Sequence, residues 1–314
     1  MKRLGLGILV AVGLLALLAP VVSPTAPWVQ HRSHPLAPPM APRLAMADDT
    51  WRPHVQRLTL RDRLTHTYET GGVLPLAWFT DGTVVRSADP AHPLLWLGSD
   101  VLGRDVWARL VHGARWSLGL AATAVGGATA LGALVGLVAG WRSGITDQAL
   151  MRATDIAIAL PALYVVLLFR ASLPLVLEPG ALFLLMAVVL TLAGWPSVAR
   201  GVRAVVAVER QRDYVLASRA MGAGSWHVLR RHLLPAVLPF LATQAVLLLP
   251  SFIVAEATLS FIGLGFAEPT PSWGTLLRDT FNVPMLREAP WLLAPAGAIA
   301  LVTVAANLVR EGPP

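Results

Sequence analysis

Apolar residues in this chain fall in long unbroken runs rather than in the broken rhythm of a soluble helix. Crossing the hydrocarbon core of a bilayer takes about 20 apolar residues of helix. Six runs reach that scale, at residues 4–22, 117–140, 156–177, 181–199, 235–261 and 291–309. The fifth is interrupted by Pro239 and Pro250, which predicts a kink. Between the first and second runs the pattern changes. Residues 23–42 are Pro-rich without an apolar period and read as an extended linker. Further on, the run 73–79 and Val84-Val85-Arg86 flank Thr80-Asp81-Gly82-Thr83. Asp-Gly supplies the positive φ values of a tight hairpin turn. Over residues 100–115, Val101, Leu102, Val106, Leu110 and Val111 alternate at helical spacing with Arg104, Asp105, Arg109 and Arg115. That is a helix lying on the membrane surface or the polar start of the second span. The pattern thus predicts an all-α membrane protein of six transmembrane helices. A partly β extracytoplasmic segment separates helices 1 and 2, and a cytoplasmic loop follows helix 4. The corresponding divisions are an anchor at 1–23, the extracytoplasmic segment at 24–97 and a transmembrane domain at 98–314 with its loop at 200–234.

Charge sets the orientation. The short loop 141–152 carries Arg142 and Arg152. The loop 200–234 carries Arg200, Arg203, Arg210, Arg212, Arg219, Arg230 and Arg231 against Glu209 and Asp213, whereas 174–180 has no basic residue. Basic short loops stay inside, so both termini are expected in the cytoplasm. Lys2 and Arg3 before the first run also suit a signal peptide, but Pro24 and Pro27 crowd the small-residue cleavage sites, which favours an uncleaved anchor. Composition agrees with a membrane protein: 55% of the 314 residues are apolar, only 14% are charged, and mean hydropathy is +0.61. With no cysteine, thiolate metal sites and disulfides are excluded. The single lysine, Lys2, follows no glycine loop, which excludes a P-loop and an internal Schiff base. HExxH and GxSxG are absent as well, so no catalytic residue, metal ligand or bound cofactor is predicted.

Chemistry therefore rests on packing and partners. Gly132, Gly136 and Gly140 form a bare stripe where another helix can approach closely. The loop reads as helix, turn, helix. In 213–221, Val215 with Arg219 and Leu216 with Ala220 pair at four-residue spacing. Gly222 sits where a helix end wants a left-handed residue, and Ser225 can cap a second helix from Trp226. Ala217, Ser218 and Ala220 leave a small face that a partner's groove can hold. A DNA-reading helix-turn-helix is disfavoured because the loop is tethered to the bilayer at both ends, and a plain solvated basic loop is the blander alternative. Within the spans, Arg170 and Glu256 are charged. They either face a translocation path, or pair, or snorkel to the outer interface. A stand-alone ion-driven transporter would need broken helices with paired ions at mid-membrane, and only prolines appear.

Residues 214–222, Tyr-Val-Leu-Ala-Ser-Arg-Ala-Met-Gly, with Leu233-Leu234-Pro235 beyond, resemble the "EAA" loop of ABC importer permeases. Six further stretches are similar in order and spacing to the dipeptide/oligopeptide/nickel permease family, C-type subunit. They are 97–106, 112–118, 155–161, 194–196, 255–265 (Ala-Glu-Ala-Thr-Leu-Ser-Phe-Ile-Gly-Leu-Gly) and 269–274 (Pro-Thr-Pro-Ser-Trp-Gly). The resemblance implies an inner-membrane importer subunit that pairs with a second homologous permease. It implies two ATPase subunits holding ATP and magnesium, and a solute-binding protein outside. Asp213, Tyr214, Leu216, Ala217, Arg219, Ala220 and Gly222 would couple to the ATPase. Membrane lipid is a partner and nucleic acid is not. Two departures stand out: Leu216 replaces the usual glutamate and Ser218 a usual alanine.

Overall fold

The computed structural model describes residues 1–314 except 48, 49, 64, 90, 161–163, 165, 166, 169–177, 282 and 312–314. The first apolar run is helical as α1 (Lys2–Leu17) and, past Leu18, as the single turn α2 (Ala19–Val22). Pro20 lies in that first turn, where its missing N–H breaks no ladder. Residues 23–42, expected to be extended, instead alternate short turns with extended stretches, and they pair with later backbone. Leu36 N donates to Asp100 O at 3.0 Å and Met40 N to Leu95 O at 2.8 Å. Ala37 N donates to Ser99 Oγ at 2.8 Å. Pro38 and Pro39 follow a turn at 35–36, where Leu36 takes φ 51°, and the polar backbone groups on either side pair along residues 95–100.

Four antiparallel strands follow as a meander, β1 (Arg43–Ala47), β2 (Thr50–Asp62), β3 (Thr67–Thr80) and β4 (Thr83–Ser87). Asp81 and Gly82 turn the last hairpin at φ values of 49° and 75°, as their chemistry predicts. Val55, Leu58, Leu74 and Val85 bury a small core together with Met40, Leu94 and Leu95. α3 (Val106–Arg142) then begins, so residues 100–105 are a turn and not a surface helix. Gly103 takes φ 73°, and Asp100 Oδ1 accepts from the backbone N–H groups of Leu102 and Arg104, both at 2.9 Å. A carboxylate closing a loop on its own backbone competes with helix there.

The remaining elements are α4 (Gly144–Ala159), α5 (Pro179–Glu209), α6 (Asp213–Ala220), α7 (Ser225–Val228), a π-helical turn (Leu229–Leu233), α8 (Leu234–Phe261), α9 (Trp273–Leu277), α10 (Val283–Glu288) and α11 (Ala294–Glu311). Among the described residues four helices are long and apolar enough to cross a membrane: Val106–Arg142, Pro179–Glu209, Ser225–Phe261 and Pro290–Arg310. The sequence predicts six spans. α1, at 16 residues, is shorter than these, and most of 156–177, Arg170 included, lies outside the described residues.

The chain divides into two compact units: Met1–Gly5, Leu120–Ala255 and Ala306–Pro314 make one, Leu6–Gly119 and Glu256–Ala305 the other. Within the first, the three predicted packing glycines lie against α5. A Cβ on Gly132 would come within 2.5 Å of Val198 Cβ, one on Gly136 within 2.6 Å of Val202 Cβ, and one on Gly140 within 2.7 Å of Val206 Cβ. Both sets rise in the same order at four-residue steps, so α3 and α5 run in the same direction, each valine seated over a glycine. α4 runs the other way, with Asp147 bonded to Arg203 (3.0 Å to Nε) and Asp155 to Arg200. α8 is likewise antiparallel to α5: Phe240 lies on Gly201 and Phe252 on Gly194.

Candidate functional site

α6 stands between α5 and the π-helical turn and shows two sides. Val215 and Ser218 are buried, and Val215 joins a cluster with Val198, Val202, Val206, Val228, Leu233 and Val237. The seven residues predicted to couple, Asp213, Tyr214, Leu216, Ala217, Arg219, Ala220 and Gly222, are all exposed, as is Met221. Gly222 ends the helix at φ 88°, a conformation that costs L-residues strain. Ser225 does not cap: it is the first helical residue of α7, and Gly224, extended at ψ 159°, holds the N-cap position.

Several contacts stiffen this loop. Tyr214 Oη donates to Glu209 Oε2 at 2.5 Å, and that bond to a carboxylate raises the phenol above its ordinary pKa. The Arg219 guanidinium lies 5.3 Å from the Trp141 ring centroid. Arg210 Nη1 donates to Gly140 O at 3.0 Å, satisfying a carbonyl at the end of α3. The result is a short helix whose inner side is fixed in an apolar core and whose outer side is free for another surface.

The second unit gathers the other motifs. Glu256 is fully buried within this chain. Its carboxylate accepts from Ser117 Oγ of α3 at 2.6 Å and from Ser260 Oγ, one turn on in α8, at 2.7 Å. Each serine passes the connection on. Trp273 N donates to Ser117 Oγ at 3.1 Å and Phe266 N to Ser260 Oγ at 3.0 Å. The buried indole of Trp273 donates to Leu110 O at 3.1 Å, and Gly274 lies so close to α8 that a Cβ would meet Ala257 O at 2.6 Å. Ser272 and Thr275 close α9 with a reciprocal capping box. One carboxylate thereby ties together three segments far apart in sequence. Ser260 was legible beforehand as the i+4 neighbour of Glu256; Ser117 was not.

A buried ionic cluster lies in the same unit and was not anticipated. Asp100 Oδ2 accepts from Arg104 Nε at 2.6 Å and from Arg109 Nη1. Glu268 accepts from Arg104 Nη1 at 2.7 Å and from Arg109 Nη2. Asp279 stands 3.6 Å from Arg109 Nη1. Burial raises the Asp279 carboxyl above its ordinary range, and Arg109 opposes that rise. The two arginines brace the loop before α3 against the loop after α8. No group of three or more His, Asp or Glu among the described residues is placed to hold a metal.

Among the described residues, four helices long and apolar enough to cross a bilayer mark a membrane-embedded helical protein. Residues 132–311 match the family described as binding-protein-dependent transport system inner membrane component. The chain is 36% identical over 218 residues to the oligopeptide transport system permease protein OppC of Bacillus subtilis, covering 69% of each. It is 37% identical over 219 residues to the dipeptide transport system permease protein DppC of the same organism, covering 69% of this chain and 66% of that one. It is also similar to a solved inward-facing structure of the MetNI methionine ABC transporter, at 21% identity and a TM-score of 0.48, over 64% of this chain and 94% of that one. The chain belongs to the binding-protein-dependent transport system inner membrane component family. It is a permease subunit of an ABC importer.

Proposed function

We propose that this chain forms one half of the translocation path of a peptide importer, paired with a second homologous permease. Two ATPase subunits that hold ATP and magnesium dock on the cytoplasmic side, one of them on α6, and a solute-binding protein delivers cargo from outside. The peptide cargo is suggested by the names of relatives that share two thirds of their length with it. The observation that carries the coupling role is the two-sidedness of α6: Val215 is locked in the core while Tyr214, Leu216 and Met221 are exposed. ATP would close the ATPase pair, α6 would follow its cleft, and the helices packed on Val215 would rock as a body. Leu216 offers that cleft an apolar contact in place of a carboxylate.

The parallel course of α3 and α5 supports six spans. Two parallel helices that both cross a membrane need one crossing back between them, and antiparallel α4 begins it. With α1 and α2 as the first span, both termini fall in the cytoplasm and the sheet lies outside. Gly222→Ile tests the coupling role in the complete complex reconstituted in vesicles. The substitution meets no neighbour and strains only the backbone. Insertion and subunit assembly are expected to persist with ATP hydrolysis, and uptake is expected to be lost. Full uptake would overturn the assignment. Capture of the complex from solubilised membranes, with mass analysis of the ligand on the co-purifying binding protein, tests the cargo.

A further inference from the structure

We propose that the groove between the β3–β4 hairpin and the start of α3 holds an acyl chain of an outer-leaflet phospholipid. The groove encloses about 420 Å³, and its walls are Val22, Val84, Leu97 and three indoles, Trp78, Trp96 and Trp107. No charged residue lines it. Filled with water, it would hold on the order of a dozen molecules facing almost no hydrogen-bonding groups. One available donor is committed, since Trp107 Nε1 donates to Val22 O at 3.4 Å. A peptide's charged ends would be desolvated there without a partner. An alkyl chain loses nothing polar on entry.

Position selects the lipid. Val22 ends α2, and 2–22 is a helical stretch with one break that rises about 30 Å, the thickness of a hydrocarbon core. The groove opens where that stretch runs out, at the depth where tryptophan concentrates in membrane proteins. In the helical stretch that ends at Val22, Leu14, Leu17, Leu18 and Val21 are exposed. Beside it, the hairpin presents Trp78, 49% exposed, and Phe79, 81% exposed. Phe79 takes φ 52°, a conformation that bulky residues rarely adopt. Aromatic rings held outward at this level suit a headgroup boundary rather than bulk water.

The proposal rests on reading 2–22 as a membrane helix, and the test separates the two. The complete complex in nanodiscs containing a phospholipid with a diazirine near the acyl terminus is irradiated, and adducts are mapped by peptide mass spectrometry. Adducts are expected within 78–85 and 96–107 as well as along 4–22. Val84→Glu, at the groove wall, is expected to abolish the groove adducts and leave those on 4–22. Groove segments without adducts, adducts indifferent to Val84→Glu, or a protein chain cross-linked there instead would each overturn the lipid site. An unlabelled 4–22 would overturn the membrane-helix reading on its own.

Discussion

Arginine is used in opposite ways in the loop around α6 and α7 and at the start of α3. In the loop, Arg212, Arg219, Arg230 and Arg231 are exposed, and the Arg212 to Glu209 pair is 3.8 Å apart with the Arg212 side chain 62% exposed. Pairs of that kind contribute about 0–1 kcal/mol. At the start of α3, the side chains of Arg104 and Arg109 are only 7% and 2% exposed and are shared among three carboxylates. There each charge is held by more than one partner, and removing one arginine leaves two carboxylates short of a donor. The loop turns its arginines to the surface, whereas the cluster is an internal brace. Residue counts do not distinguish them; the carboxylates opposite do.

The largest expected effect is Arg109→Met. It removes one charge-assisted hydrogen bond from each of Asp100 and Glu268, leaving both to Arg104, and at about 1.5–3 kcal/mol per bond is expected to cost about 3–5 kcal/mol, read as loss of the monodisperse peak of the detergent-purified protein and a lower melting temperature. The matching Arg219→Met is expected to change stability by about 0.5 kcal/mol or less. Equal effects would erase the contrast. Gly136→Val comes next, because the new side chain meets Val202 and Ala199 O; about 1–3 kcal/mol of overpacking is expected in the same melting assay. Ser260→Ala removes one donor to Glu256 and strands Phe266 N, for about 1–3 kcal/mol, whereas the exposed Ser225→Ala is expected to be silent.

The smallest effect is a pH slope. Burial pushes the Asp105 carboxyl up to about 7 against the pull of the Ala108 and Trp107 backbone N–H groups. The folded state therefore keeps a proton that the unfolded chain releases near about 4. The group's contribution to stability is full below that value and is lost as pH rises through about 7. Melting temperature is expected to fall between pH 5 and pH 8, and Asp105→Asn to reduce that fall. An unchanged slope in the variant would refute the assignment. Asp279, raised in the same direction, leaves a residual slope.

Elements that depend on near neighbours were legible in advance. Asp81-Gly82 named the hairpin, Gly222 the end of α6, and the four-residue glycine spacing the stripe on α3. Apolar run length placed α3, α5, α8 and α11. Features that depend on residues distant in the chain were not legible. Ser117 finds Glu256 across 139 positions and Arg109 finds Glu268 across 159, and no local period encodes either meeting. The turn at 100–105 was misread as possible helix because its apolar spacing is helical, while Gly103 and the Asp100 carboxylate decide otherwise. The pairing of residues 36–40 with 95–100 was not legible, because prolines say nothing of what the chain beside them pairs with.

Seating Val198, Val202 and Val206 in three successive glycine notches has a mechanical consequence. Like teeth in a rack, they forbid α3 and α5 from sliding by less than a full turn. Because Val215 is wedged among the same valines, the short helix is seated on that rack and not merely beside it.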